Sequence, residues 1–166
     1  MTTRKESSKL THLIPTKTIY KTDYDPSLLE TFKNKNPKTQ AWTTFICPEF
    51  TSLCPITGQP DFATIIINYV ADTRMVESKS LKLYLFSYRN HGDFHEECIQ
   101  KIAHDLFNLM KPHYVEVLGK FSARGGIAIH PFVSLAGPKK YYQDLKESRF
   151  QRHCDPGLLG RNSLQD

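Results

Sequence analysis

Cys54 sits in an apolar-flanked turn, FTSLCPITGQPDFA over residues 50–63, and Asp61 follows seven residues later. A cysteine and a carboxylate bracketing one Pro/Gly-rich loop is the arrangement an activated thiol needs. The thiolate attacks, and a nearby acid protonates what the attack leaves negative. Each residue also has an ordinary explanation. Cysteine is commonly a small buried hydrophobe, and aspartate favours turns. Pro55 and the Gly58-Gln59-Pro60 run point toward chemistry, because they hold the loop in a defined shape and loops carry sites more often than cores do. As a general acid, Asp61 needs partial burial.

A second group lies at Phe94, His95 and Glu96. The two acceptor oxygens of Glu96 match the adjacent ring N–H and exocyclic amine of a guanine-like edge, or serve a helix cap. His95 is a candidate acid/base, histidine being the side chain suited to that role, or is a hydrogen-bonded surface residue. Phe94 stacks on a flat ring or packs in the core. Lys79 and Lys82 in ESKSLKLY (residues 77–84), with Arg124 in the Ser-Ala-Arg-Gly-Gly turn, suit phosphate groups near a helix N-terminus, or face solvent singly. No GxGxxG follows a strand, which argues against a Rossmann site.

These residues must be positioned by a small set of elements. Ala41 to Ile46 and Phe62 to Val70 read as strands, the second with an Ile65-Ile66-Ile67 centre that implies burial on both faces or at a subunit contact. Arg74 to Glu77 extends that pairing. Leu81, Tyr84, Leu85 and Tyr88 have helical spacing over 79–89. A second helix begins at Asp93 as N-cap, with Glu96 completing a capping box; Ile99, Ile102, Leu106 and Leu109 form its apolar stripe and Pro112 ends it. Strands at 114–121 and 126–133 follow as a hairpin across residues 122–125. Two strands, two helices and two strands make an α+β domain with helices on one face of a sheet, whose edges favour closure by oligomerisation. Residues 1–38 read as a loose arm, 39–138 as the domain, and 139–166 as a weak helix and tail.

The chain has 166 residues, a length that suits one domain, and 39% hydrophobic residues supply a core. The net charge of +5 suits an anionic ligand such as a nucleotide phosphate as readily as a nucleic acid, or a solvated surface. No leader-like or membrane-spanning apolar run occurs, so a soluble cytoplasmic protein is expected. Cys47, Cys54, Cys98 and Cys154 are too few and scattered for a disulfide scaffold, and without CxxC a structural zinc ribbon is not expected.

Three segments, FTSLCPITGQPDFA, VESKSLKLYLFSYRNHGDFHEEC and GKFSARGGIAIHP, closely resemble the NADPH-dependent 7-cyano-7-deazaguanine reductases, the nitrile reductases of queuosine biosynthesis. ESKSLKLY fits that family's signature at every position. The resemblance implies a short, single-domain member with a tunnelling fold. In that fold, subunit sheets join into a barrel, pentameric rings stack in pairs, and active sites lie between subunits. It implies that Cys54 forms a covalent thioimide with the nitrile carbon, that Asp61 protonates the nitrile nitrogen, and that His95 assists proton transfer. Two NADPH are consumed per turnover. Glu96 recognises the deazaguanine edge, Val76, Glu77 and Ser78 line the base pocket, Phe94 stacks near the substrate, and Lys79, Lys82 and Arg124 bind NADPH phosphates. The expected substrate is the free base, with no stable nucleic-acid complex. If His95 faces the site, Cys98 shares its helix face, which leads to the hypothesis of a reversible Cys54–Cys98 disulfide.

Two other readings compete. A zinc hydrolase of the same fold, resembling GTP cyclohydrolase, would use Cys54, His95 and Cys98 as ligands. A purine- or RNA-binding module is permitted by charge and aromatics, though no RNA-binding motif is present.

Overall fold

A computed structural model describes residues 19–154. Its centre is an antiparallel sheet in the order β2-β3-β5-β6, made by Trp42–Leu53, Pro60–Val70, Tyr114–Phe121 and Phe132–Ala136. The expected strand at 41–46 is the first half of β2, which continues past a bulge between Cys47 and Phe50. In the β2–β3 register Ser52 faces Asp61 and Leu53 faces Pro60, so Cys54 is the first residue beyond the paired strands. The hairpin thus folds a seven-residue separation back on itself.

Alternation along β3 sends Ala63, Ile65, Ile67 and Tyr69 into the main core, while Ile66 is half-buried on the other face. Helix α1 (Ser78–Phe86) and helix α2 (His95–Met110) cover the core face. Leu81, Tyr84 and Leu85 of α1 and Ile99, Ile102 and Leu106 of α2 join Val115 and Val117 of β5 in one cluster. Each fully buried aliphatic side chain there contributes about 1.5–3 kcal/mol. At Gly119 of β5, α2 lies so near the strand that a Cβ would stand 2.6 Å from Ile99 Cδ1 and 2.9 Å from Phe121 Cε2.

Several sequence expectations need correction. The helix over 79–89 ends as α-helix at Phe86 and tightens into a 3₁₀ turn, Ser87–Asn90. Phe94, not Asp93, caps α2, and no side-chain hydrogen bond caps it. The helix starts one residue late for a capping box, and Asp93 instead engages His91 at 3.0 Å and Lys101. Strand β4 (Arg74–Val76) leaves the main sheet and pairs with β1 (Thr31–Lys33). The final strand begins at Phe132 rather than 126, because Pro131 has no N–H for the ladder.

Of the expected arm, residues 1–18 lie outside the described residues. From residue 19 onward it is not loose throughout: β1 is paired, and Leu28 and Leu29 enter the core. Helix α3 (Lys140–Cys154) lies on the opposite sheet face, where Tyr142 packs with Val70 and Tyr114. Arg149 grips the buried Glu116 with two hydrogen bonds, 2.8 and 2.6 Å. The expected tail beyond 154 lies outside the described residues. Among the described residues no helix is long and apolar enough to cross a membrane.

Candidate active site

The Cys54 turn is built to hold a thiolate. Cys54 N–H donates to Gln59 O at 2.9 Å, and Gly58 N–H donates back to Cys54 O at 2.9 Å. Closing that tight turn requires φ +67° at residue 58, which glycine adopts without strain. The Thr57 hydroxyl foremost, then the backbone N–H groups of Thr57 and Ile56, and more weakly the Arg124 guanidinium bring the Cys54 pKa down to about 7. The sulfur-bearing residue is only part-buried, as a reactive thiol must be.

Neighbouring backbone fixes where the turn points. Leu53 N–H donates to His91 O at 2.9 Å, and Asp93 N–H donates to Leu53 O at 3.1 Å. Gly92 comes so near that a Cβ would sit 3.5 Å from Pro55 Cα. The chain leading into α2 is therefore stitched to the residues flanking Cys54, which delivers His95 to the site.

Asp61 and His95 are 4% and 7% exposed. His95 Nε2 lies 3.1 Å from Asp61 Oδ2, while Asp61 Oδ1 lies 3.1 Å from Arg124 Nε. The His95–Asp61 approach is close but not aligned as a hydrogen bond: Asp61 Oδ2 and both imidazole nitrogens are buried without hydrogen-bond partners among the described residues. Polar atoms held this way are costly, and such sites are common where chemistry is done. The His95 ring is fixed by Phe121, on which it stacks. Arg124 reaches Asp61 from a loop whose base is tied to β3 by Ser122 N–H donating to Phe62 O at 2.8 Å.

Cys54, Asp61, His95 and Arg124 thus converge from four chain segments. The other candidates form separate groups. Phe94, 52% exposed, and Glu96, also exposed, project from the start of α2. Glu77 is the N-cap of α1 and accepts from the N–H groups of Lys79 and Ser80 at 2.8 and 2.7 Å. That carboxylate occupies the anion site of the helix N-terminus, so phosphate binding there falls to side chains. Val76 points its side chain into the core and can offer a ligand only backbone.

Ser78 and Lys82 line a groove of about 250 Å³ with Phe45, Leu81, Leu85 and Phe86. The exposed Lys82 Nζ also meets Tyr20 Oη at 3.3 Å. Arg124 lies apart from this groove within the single chain, beside Asp61.

Thr57 and Phe121 escaped sequence reasoning. Thr57 had a usable signal, a hydroxyl three residues after a cysteine in a Pro/Gly turn. Phe121 had none, since its role depends on a long-range stack. Cys98 is fully buried, and burial pushes its thiol up to about 12. Cys54 and Cys98 are both free thiols.

A family model described as QueF-like protein matches residues 60–140. The chain is 61% identical over 140 residues to the NADPH-dependent 7-cyano-7-deazaguanine reductase of Bdellovibrio bacteriovorus, covering 84% of this chain and 82% of that one. It is 56% identical over 153 residues to the protein of the same name from Porphyromonas gingivalis, covering 92% and 99%. The solved structure of the archaeosine synthase QueF-Like in the apo form aligns with TM-score 0.55 at 21% identity, over 61% of this chain and 99% of that one, a likeness of fold.

Proposed function

The chain belongs to the QueF-like family of NADPH-dependent 7-cyano-7-deazaguanine reductases, and from that membership we infer that it reduces the nitrile of 7-cyano-7-deazaguanine to an aminomethyl group. In this reading residues 39–138 are the catalytic domain, flanked by segments 1–38 and 139–166. The observation that carries the mechanism is the Cys54 turn, folded back by the β2–β3 hairpin beside the buried Asp61–His95 pair.

The Cys54 thiolate adds to the nitrile carbon. One C–N π pair moves to nitrogen, which takes a proton from Asp61, and a thioimide on Cys54 results. NADPH, when bound, supplies one hydride to each of two successive reductions. At the first reduction His95 assists proton delivery to the nitrogen. The tetrahedral carbon then expels the Cys54 thiolate, leaving an imine that the second reduction converts to the amine. The balance is two NADPH and two protons per nitrile. The imine must be kept from water, which calls for a closed site.

The donor set at α1 fits a phosphate-bearing dinucleotide: Ser78 and Lys82 at the rim of an apolar groove, with Lys79 on the same helix turn. Val76 backbone, Glu77 and Ser78 frame the base, Glu96 reads its edge, and Phe94 stacks beside it. The exposure of Phe94 and Glu96 supports a site completed by a neighbouring subunit. The open edges β2 and β6 support barrel closure by oligomerisation, as stacked pentameric rings. The substrate is the free base in the cytoplasm, without a stable nucleic-acid complex.

The zinc-hydrolase alternative is not favoured. Among the described residues no three His, Cys, Asp or Glu side chains are grouped to hold a metal ion.

Intact-protein mass after mixing with 7-cyano-7-deazaguanine, without NADPH, tests the reading. An adduct of substrate mass on wild type, absent from Cys54→Ala and lost on adding NADPH, is expected. No adduct on folded, reduced, assembled wild type would overturn it.

A further inference from the structure

Residues 19–25 form a strap without regular structure along the end of α1 and the 3₁₀ turn that follows it. Three hydrogen bonds fasten it. Asn90 N–H donates to Thr22 O at 2.8 Å, Asp25 N–H donates to Ser87 Oγ at 3.2 Å, and Tyr24 Oη donates to Asp105 Oδ2 at 2.7 Å. The strap delivers Tyr20 to two residues that line the α1 groove, Lys82 and Phe86. Lys82 Nζ donates to Tyr20 Oη at 3.3 Å and stands 5.5 Å from the centre of its ring. That ring meets Phe86 edge-on, with centroids 4.8 Å apart. Tyr20 is nonetheless 47% exposed, so a ligand can reach it.

We propose that Tyr20 is a further ligand-binding residue of the reduction steps: its hydroxyl and the Lys82 ammonium together bind one phosphate of NADPH. The proposal rests on the reading that Lys82 binds a dinucleotide phosphate, and it adds the neutral partner of that cation. A phenol oxygen that accepts from an ammonium keeps its own O–H to donate, and the ammonium has two further N–H donors. The pair therefore presents one charged and one neutral donor side by side. A phosphate carries several acceptor oxygens and can take both at once. The Glu77 carboxylate already occupies backbone N–H groups at the start of α1, so donors for an anion there come from side chains such as these. Tyrosine suits the place because its ring, with two χ angles, loses little freedom when a ligand binds.

The test uses full-length wild type, Tyr20→Phe, Lys82→Gln and the double variant. Two quantities are read: the Kd for NADPH by calorimetric titration, and the rate of thioimide formation without NADPH. Tyr20→Phe keeps the ring against Phe86 and removes only the hydroxyl. Its Kd for NADPH rises about fivefold or more, while thioimide formation stays within about twofold of wild type. In the Lys82→Gln background the same change raises Kd by about twofold or less, because the two donors serve one acceptor group. An unchanged Kd in Tyr20→Phe, or equal effects in the two backgrounds, would overturn the proposal. So would failure of the assembled wild type to bind NADPH. If Lys82→Gln binds too weakly to titrate, Tyr20→Phe alone decides. Absence of a thioimide on wild type would sink the reductase reading, leaving the NADPH titrations to judge Tyr20.

Discussion

The imidazole of His95 lies face to face with the ring of Phe121, centroids 3.9 Å apart and planes inclined by 9°. The stack covers one face of His95 and leaves Nε2 on its edge 3.1 Å from Asp61 Oδ2. Replacing Phe121 with Leu keeps an apolar neighbour but removes the flat support. We expect kcat to fall roughly tenfold through mispositioned proton transfer. Stability should drop by only about 1 kcal/mol. Adduct formation by Cys54 should persist. Steady-state kinetics beside intact-mass analysis separates the two effects, and an unchanged kcat would remove Phe121 from the mechanism.

Cys54 should alkylate with a midpoint near pH 7, two units below the ordinary thiol value of 9.0. Because the thiolate is the reactive form, the rate rises with pH through that midpoint and is flat above it. Thr57→Val removes the largest stabilising hydrogen bond and should move the midpoint up by roughly one pH unit. Iodoacetamide rate profiles of the two proteins decide it. Coincident profiles would leave the turn's backbone N–H groups as the main cause.

Ser52, two residues before Cys54 in the chain, neighbours Cys98. With its thiol pushed up to about 12, Cys98 attacks poorly at neutral pH, so Cys54 must be oxidised first. Peroxide converts Cys54 to a sulfenic acid, and condensation with Cys98 releases water and closes a disulfide. Mild peroxide should therefore remove two thiols per chain reversibly in wild type. In Cys98→Ala, Cys54 should proceed to irreversible oxidation. Thiol counts before and after dithiothreitol check this, and loss unaffected by Cys98→Ala would refute it.

Glu116, 2% exposed, receives Arg149, Tyr114 and Asn68. Burial alone would push its carboxyl up. The hydrogen bonds of Arg149, then those of Tyr114 and Asn68, hold it below its ordinary value. A lowered carboxyl stabilises the fold above the unfolded-state pKa, and that contribution disappears as pH falls through the folded-state value. Arg149 is 37% exposed, so Arg149→Met should cost about 2 kcal/mol, less than a fully buried pair. Urea midpoints of variant and wild type should differ at pH 7 and converge in acid. A pH-independent difference would assign the effect to packing alone.

Local patterns foretold what local physics determines. The apolar stripe Ile99, Ile102 and Leu106 lies buried on α2 as its spacing required, and a Pro/Gly hairpin brings Cys54 to Asp61. The start of α2 slipped by one residue because Asp93 is engaged by His91 and Lys101, partners that only the fold assembles. Arg124 was grouped with Lys79 and Lys82 by charge. Its contact with Asp61 follows from the pairing of β3 with β5, where Ala63 meets Phe121 just before the loop, a long-range register that no local pattern announces. Helix α3 has little amphipathic pattern to announce which face it covers. It is held by Tyr142 and by one buried ion pair, neither of which has a periodic signature.

Gly119 lies outside the reacting groups, yet both side chains a methyl group there would strike lead back to them. Ile99 is one turn beyond His95 on α2, and Phe121 carries the imidazole itself. The height at which the helix rides above the sheet is therefore metered by a missing carbon. Gly119→Ala would lift the helix or tilt the ring, opening the gap between imidazole and carboxylate. A change with no contact to the substrate would then be read by kinetics as damage to the proton relay.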